Sequence, residues 1–485
     1  MANTPTRTLT CAHLVGGEDG APTTARQITL AGGTIASVGA AGTAVEPLLA
    51  LPVLVNAHDH GRAVRTSSIG AAGKPLESWL HYLALVPSVD PYLAAVVAFG
   101  NSARGGAGVV MMHYTRTQGL TDLPTEAAEV ARAARDVGVR VGFAVSMKDR
   151  NPLVYGPSEP VLAALPADAR AEIARRFIRP ALTPREQIAL VDAVAEAAAG
   201  KNFDVQYGPN GVQWCSEPLM EAIAEASQRT GRRVHMHLLE TRYQRAWLDT
   251  TYPDGGLRFL DQIGLLSPRL TVAHGVWARP DELSLLAERG VTISVNTASN
   301  LHLRSGIAPA IRMKQSGCRI ALGIDGRALD DDDDALRDLR LAQLLHRGTG
   351  FATGISPRDM LRAAFADGRF AVTNIADGGT IAAGAPADLL LLDWAALDDD
   401  HLRDDLDPVD LLISRATARH ISEVIVGGRS IVKDGRVRGV DLDAARREVL
   451  AQMRTGMAAN GALAAALPAL ERAIANWFAG EHPCC

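Results

Sequence analysis

The sequence predicts an α/β protein, a (β/α)8 TIM barrel with a small β-sandwich built from both chain termini. Three observations predict it. Through the middle of the chain, eight short apolar runs alternate with Ala-, Leu-, Arg- and Glu-rich stretches of helical length, the pattern of a parallel sheet covered on both faces. The two ends have a different texture, alternating apolar residues broken by Gly turns. No GxGxxG opens the first unit, which counts against an open doubly wound sheet. At 485 residues the chain exceeds one simple core, so a large domain and a smaller one are expected.

Taken in order, the stretch from Thr8 to Leu51, with "RQITLAGGTIASVGA", reads as small antiparallel strands. Eight strand candidates follow: "PVLVNAH", "GVVMMHY", "RVGFAVSM", "FDVQYGP", "RVHMHLLE", "LTVAHGVW", "VTISVNTAS" and "RIALGIDG". Helices lie between most of them, such as Thr125–Gly138 and Glu217–Gly231. Eight units over this length fit a (β/α)8 barrel. The Asp run Asp330–Asp334 reads as a solvated face or a helix N-terminus. The β texture returns in "GAPADLLLLDW" and in "ISEVIVGGRSIVKDGRV", whose Gly-Gly and Asp-Gly pairs signal hairpins. The tail from Asp441 reads as helical, with a structural or interface role. The expected division is 1–52 and 376–440 for the composite β-domain, 53–375 for the barrel and 441–485 for the helical tail.

Composition excludes several classes. The net charge of −5 carries no clustered basic excess, so no nucleic-acid partner is expected. The apolar runs are strand-length, short of the roughly 18–20 residues that span a bilayer, so no membrane partner is expected either. The start of the chain shows no continuous apolar signal-peptide core. Five cysteines, Cys11, Cys215, Cys318, Cys484 and Cys485, have no CxxC spacing. They predict a reduced, cytoplasmic protein, with the last two in an exposed tail.

The strand ends carry the chemistry. His58 and His60 end the first run, His113 the second, His274 the sixth and Asp325 the eighth; His235 and His237 lie on the fifth, with Glu240 three residues on. In a barrel all strand C-terminal ends meet at one rim. Side chains two apart on a strand point the same way, so His58 and His60 aim at one point. His58, His60, His237, His274 and Asp325 offer four imidazoles and one carboxylate, a set for one divalent metal, Zn2+ or Fe2+, and too rich in nitrogen for Mg2+ or Ca2+. Such a metal lowers the pKa of its water to about 7 and makes hydroxide available. Glu240 is placed to shuttle the proton to a leaving nitrogen. His274 ligates weakly or polarises the substrate, and Asp325 also orients the nucleophile.

In that order and spacing, "VNAHDH", "VHMHLLET", "VAHGVW", "NTASNLHLRSGIAP" and "ALGIDG" resemble the amidohydrolase superfamily, in particular its cytosine deaminase-like group with guanine and S-adenosylhomocysteine deaminases and triazine hydrolases. "DDDDALRDLRLAQLLHR" and "GGTIAAGAPADLLLLD" extend the likeness. The resemblance implies metal ligation by His58, His60, His237 and Asp325, catalysis by Glu240 and His274, and attack at an sp2 carbon bearing nitrogen. It also implies a mononuclear site, because binuclear relatives carry a carboxylated lysine at the end of strand four, where this chain reads "DVQYGPNG"; Lys148 ends strand three instead. Members of the group are often homodimers or larger.

There are departures. Where many deaminases of the group place a substrate-binding histidine after strand four, this chain has Asn210, with Gln213 and Trp214 nearby, which argues against nucleoside-type substrates. Asn300 matches the group, and His302 stands where another residue is usual. Arg62, Arg65, Arg116, Lys148, Arg150 and Arg304 fall on loops at the rim, where an Arg fork would recognise carbonyl or carboxylate oxygens, or pair with acids such as Asp149. Trp79 and Trp214 are candidates to stack on a planar ring. The substrate contacts expected are thus Arg62, Trp79, His113, Asn210, Gln213, Trp214, Asn300 and His302. The function expected is hydrolytic deamination of a small, planar, nitrogen-rich heterocycle, a small-molecule substrate. The alternatives are amide or urea hydrolysis on the same metal, and a non-catalytic barrel scaffold, which the full set of ligands opposes.

Overall fold

Every one of the eight apolar runs holds a strand in the computed structural model, which describes residues 6–17, 21–327, 329, 332–373 and 378–481. The strands are Leu54–Asn56, Ala107–Tyr114, Arg140–Met147, Phe203–Pro209, Val234–Leu238, Leu270–His274, Thr292–Val295 and Arg319–Leu322. They pair in parallel, each with its neighbour in sequence. The ring closes between the last strand and the first. The Ala57 amide donates to the Leu322 carbonyl at 2.8 Å, and the Asp325 amide to that of His58 at 2.8 Å. These two bonds bring residues far apart in sequence, His58 and Asp325, side by side at the rim.

The helices begin and end where local chemistry dictates. Asp122 accepts from the Thr125 amide at 2.9 Å to cap Leu123–Val137, which ends at Gly138 in the left-handed region. Ser216 and Gly231 do the same for Glu217–Thr230.

Eight of the strands outside the barrel form one continuous sheet, while Gly348–Thr349 and Ala352–Thr353 pair as a small separate hairpin. Thr6–Leu14, Thr23–Ala31, Thr34–Ala40 and Leu48–Pro52 join Leu389–Asp393, Ile421–Val426, Arg429–Lys433 and Arg436–Val437. The β-domain expected from both termini is present, its strands hydrogen-bonded as a single eight-stranded sheet. Strands from the two termini share one apolar interior that includes Leu9, Ile28, Ile35, Leu389 and Ile425, and the turn at Gly33 meets Ala387 through a backbone hydrogen bond of 2.9 Å. Both expected hairpins are present. Gly427 and Gly428 have positive φ, as do Asp434 and Gly435, the backbone twist that a two-residue hairpin turn needs.

Asp388, just before Leu389–Asp393, joins sheet to barrel. It accepts from Arg140 Nε at 2.8 Å, Arg369 Nη1 at 2.6 Å and the Gly427 amide at 2.6 Å. The expected boundary between 375 and 376 lies outside the described residues, as do Cys484 and Cys485. Cys11, Cys215 and Cys318 are buried and free.

The C-terminal tail is helical, Leu442–Gly456 and Gly461–Glu481. Its second helix packs Leu463, Leu467, Leu470, Ile474 and Phe478 against Leu76, Trp79, Tyr82 and Tyr155. The tail thus builds the wall beside the barrel mouth. Among the described residues no helix is long and apolar enough to cross a membrane.

Candidate metal centre

Sharp turns at the strand ends aim the polar side chains inward. His274 and Asp325 adopt φ of 78° and 65°, and each is followed by a Gly that also has positive φ. Such backbone in non-glycine residues costs about 1–3 kcal/mol each and persists where the surroundings impose it. At Gly326 a Cβ would lie 2.7 Å from Asp59 Oδ1, so only glycine fits. Asp59, between the two histidines of the first strand, faces away from the centre. Its Oδ1 accepts from the His60 and Gly61 amides at 2.6 and 2.7 Å, and its Oδ2 from Asn56 at 2.6 Å.

Four imidazoles and one carboxylate converge. Asp325 Oδ1 is 3.3 Å from His58 Nε2 and 3.1 Å from His60 Nε2. His237 Nε2 is 3.3 Å from His60 Nε2, and His274 Nε2 is 4.0 Å from Asp325 Oδ2. His58, His237 and His274 form one group of mutually close donor atoms, and His58, His60 and Asp325 another.

Each imidazole is held from behind through Nδ1. His58 meets His235 Nε2 at 2.7 Å, His60 the His113 carbonyl at 2.8 Å, His237 the Asn210 carbonyl at 2.6 Å and His274 Asn300 Oδ1 at 2.9 Å. With the proton on Nδ1 in all four, every Nε2 lone pair points to the centre, the outer support that metal-ligating histidines need. His58 Nε2 and Asp325 Oδ1 are buried and have no hydrogen-bond partner among the described residues. Buried polar atoms are seldom left so. The donor set and its unsatisfied atoms fit a divalent cation.

Electrostatics agree with this set. Burial lowers His60 and His274 to about 4 and holds His237 well below its usual value, so the rings are neutral, the form in which an imidazole can ligate. Burial would raise Asp325, but His58 and His60 more than offset it and hold the carboxyl well below the usual range. Glu240, 1 % exposed, is pushed well above it by burial and by the Asp325 and Glu77 carboxylates. Its Oε2 lies 3.6 Å from His274 Nε2.

The centre opens into a cavity of about 650 Å3. Of the expected substrate contacts, Arg62, Trp79, Asn210 and Trp214 line it, together with Arg116, Lys148 and Arg150. Four do not. His113 is fully buried behind His60 and His237, its Nε2 on the Gly208 carbonyl at 3.0 Å. Gln213 is buried behind the wall, its carbonyl accepting from Asn151 at 2.6 Å. Asn300 orients His274. His302 faces a separate cleft beside Arg65 and Arg327. Trp79 is 2 % exposed and donates to Thr66 Oγ1 at 3.0 Å, with the Arg62 guanidinium 5.0 Å from its ring centre; it backs Arg62 and has no free face for a substrate ring.

Sequence reasoning gave no role to three groups. His235, two residues before His237 and so on the same face of the strand, lies one layer deeper and supports His58. Ser299 donates to Asp325 Oδ2 at 2.6 Å. Glu77, on the short helix Leu76–Tyr82, reaches the cavity and accepts from Thr241 Oγ1 at 2.5 Å and the Tyr155 hydroxyl at 3.0 Å. The first carried a readable signal, the period of two. Nothing in the sequence placed the other two.

Comparison with known proteins places the chain in a family and agrees with its fold. The chain is 30% identical over 408 residues to the 5-methylthioadenosine/S-adenosylhomocysteine deaminase of Natronomonas pharaonis, covering 83% of this chain and 86% of that one. It is 28% identical over 392 residues to the 5'-deoxyadenosine deaminase of Methanothermobacter thermautotrophicus, covering 80% and 83%. The zinc-complexed structure of atrazine chlorohydrolase TrzN from Arthrobacter aurescens TC1 shares the fold, with a TM-score of 0.77 at 22% identity, over 92% of this chain and 99% of that one. Residues 49–431, from the last N-terminal strand through the barrel and into the C-terminal hairpin, match the amidohydrolase family, and the chain belongs to it.

Proposed function

We propose that the protein is a metal-dependent hydrolytic deaminase of a small, planar, nitrogen-rich heterocycle, with one Zn2+, or Fe2+ in its place, held by His58, His60, His237, His274 and Asp325. The observation that carries this reading is the pair of unsatisfied buried donor atoms 3.3 Å apart, His58 Nε2 and Asp325 Oδ1, the second on a residue that lines the same cavity as the buried carboxyl of Glu240. The named deaminase relatives support the reaction class. The fourth barrel strand, Phe203–Pro209, contains no lysine, which supports a single metal.

A cation at this site, when bound, lowers the pKa of a water and polarises the carbon under attack. The protein's own groups do the rest. Glu240 takes the proton of the attacking water at its carboxylate and hands it to the departing nitrogen; a carboxyl raised by burial suits both transfers. Ser299 ties down Asp325 Oδ2 and leaves Oδ1 for the centre. His274, fixed by Asn300, stands beside Glu240 with its Nε2 turned to the centre. Membership of a homodimer or larger assembly and a cytoplasmic setting complete the proposal, the latter favoured by the three free cysteines.

The test is ammonia release by the metal-loaded protein on purines, pyrimidines and triazines, with Glu240→Gln beside it. The variant should keep its metal while turnover falls roughly 10²–10⁴-fold. Unchanged turnover would remove Glu240 from the reaction, and release of a larger amine would move the protein to amide or urea hydrolysis.

A further inference from the structure

Besides Asp325 at the centre, three side chains that line the cavity, Arg62, Glu77 and Arg150, keep buried polar atoms with no hydrogen-bond partner among the described residues, and the first two flank Glu240. Arg62 Nε and Nη1 are buried and have no hydrogen-bond partner among the described residues. Its guanidinium is clamped over Trp79 at 5.0 Å, and Trp79 is itself pinned to Thr66. A guanidinium is a cation at neutral pH. Glu77 is 5 % exposed. Thr241 and Tyr155 both donate to its Oε1, while Oε2 is buried and unpartnered. Both residues line the cavity that holds Glu240 and Asp325.

The chemistry of the two is complementary. A guanidinium offers only donors, and a carboxylate oxygen offers an acceptor. Because each is held by other residues, neither turns away to find a partner elsewhere. A ligand that leaves these atoms unmet forfeits their hydrogen bonds, and sites built this way reject analogues lacking the matching group far more strongly than apolar pockets do.

We propose that Arg62 and Glu77 select the substrate, and that it is an oxo-substituted, lactam-type nitrogen heterocycle whose carbonyl oxygen or oxyanion faces Arg62 and whose N–H faces Glu77. This rests on the deaminase reading only in placing the reacting carbon beside Glu240. It sets the chain apart from the two deaminases named above, which are called after adenosine-type substrates whose base carries no oxygen.

The experiment is calorimetric titration of the zinc-loaded Glu240→Gln protein, in which turnover does not deplete the ligand, with hypoxanthine against purine and uracil against pyrimidine. At least one oxo compound should bind tenfold or more tightly than its oxygen-free parent. Arg62→Met should erase that preference, Arg62→Lys should restore part of it, and Glu77→Gln should weaken the oxo compound alone. Zinc content equal to that of the parent protein shows that the variants are folded. If no oxo compound outbinds its parent, or if the preference survives Arg62→Met, the proposal is wrong. Because the readout is binding, this failure is separate from failure of the deaminase reading, which the ammonia assay decides.

Discussion

Replacing His235 by Phe tests whether the centre depends on support from one layer below it. His235 is fully buried, and its Nε2, 2.7 Å from His58 Nδ1, is the acceptor that keeps the His58 proton on Nδ1 and its Nε2 lone pair free. Phenylalanine keeps a ring in place but removes the acceptor. Loss of one such partner weakens metal binding roughly 10–100-fold, about 1.4–2.7 kcal/mol at 1.36 kcal/mol per decade. The metal-free protein should change little, because Nδ1 of His235 is buried without a partner and is lost in the same substitution. Competition with a chelator at fixed pH gives the zinc Kd, and thermal melts with and without zinc give an independent measure. Zinc at 100 times the wild-type Kd adds about 2.7 kcal/mol to wild-type stability; a hundredfold weaker site at the same zinc concentration gains only about 0.4 kcal/mol. His235→Gln, which retains an acceptor, should recover part of the loss. A wild-type zinc Kd in His235→Phe would refute the reasoning, and so would a metal-free protein that no longer folds.

Asp388→Asn should cost about 3–5 kcal/mol in urea unfolding, since it leaves Arg140 and Arg369 buried with too few counter-charges. Burial alone would raise the Asp388 carboxyl, but the hydrogen bond from Arg140 and the Arg369 charge outweigh it and hold it below its ordinary value. Its contribution to stability is therefore full above the unfolded pKa of about 3.9 and is lost as pH falls through the lower folded value; the acid limb of the wild-type stability curve should flatten in the variant. Gly326→Ala forces a Cβ to 2.7 Å from Asp59 Oδ1 at a φ of 89°. It should lower both melting temperature and zinc content, the latter read by metal analysis. Phe478→Ala, on the C-terminal helix against Tyr155 and Tyr243, should cost about 3 kcal/mol and raise KM more than it lowers kcat, because it opens the cavity wall without touching the proton path.

The barrel was readable because two strong signals coincide. Continuous apolar runs mark strands buried on both faces, and the polar residue that ends such a run has nowhere to go but the rim. That logic places His58, His60, His237, His274 and Asp325 without any contact information. It fails for residues whose role depends on depth or on a partner from another element. His113 satisfies the same strand-end rule as His274, yet it sits behind the ligands and accepts no substrate, because a strand's period of two fixes its face but not its layer. Trp79 is an aromatic residue near the mouth, but its position against Thr66 and Arg62 arises from the packing of the helix Leu76–Tyr82. Glu77 is invisible for the same reason: one acidic residue among 54 Asp and Glu, it becomes part of the site only because Thr241 and Tyr155, 164 and 78 residues away, converge on it. What the sequence withholds is therefore the specificity of the site and not its chemistry. The reacting centre is built from strand ends that every turn of the barrel repeats, whereas the groups that choose a substrate come from loops and short helices, which only the folded chain brings together.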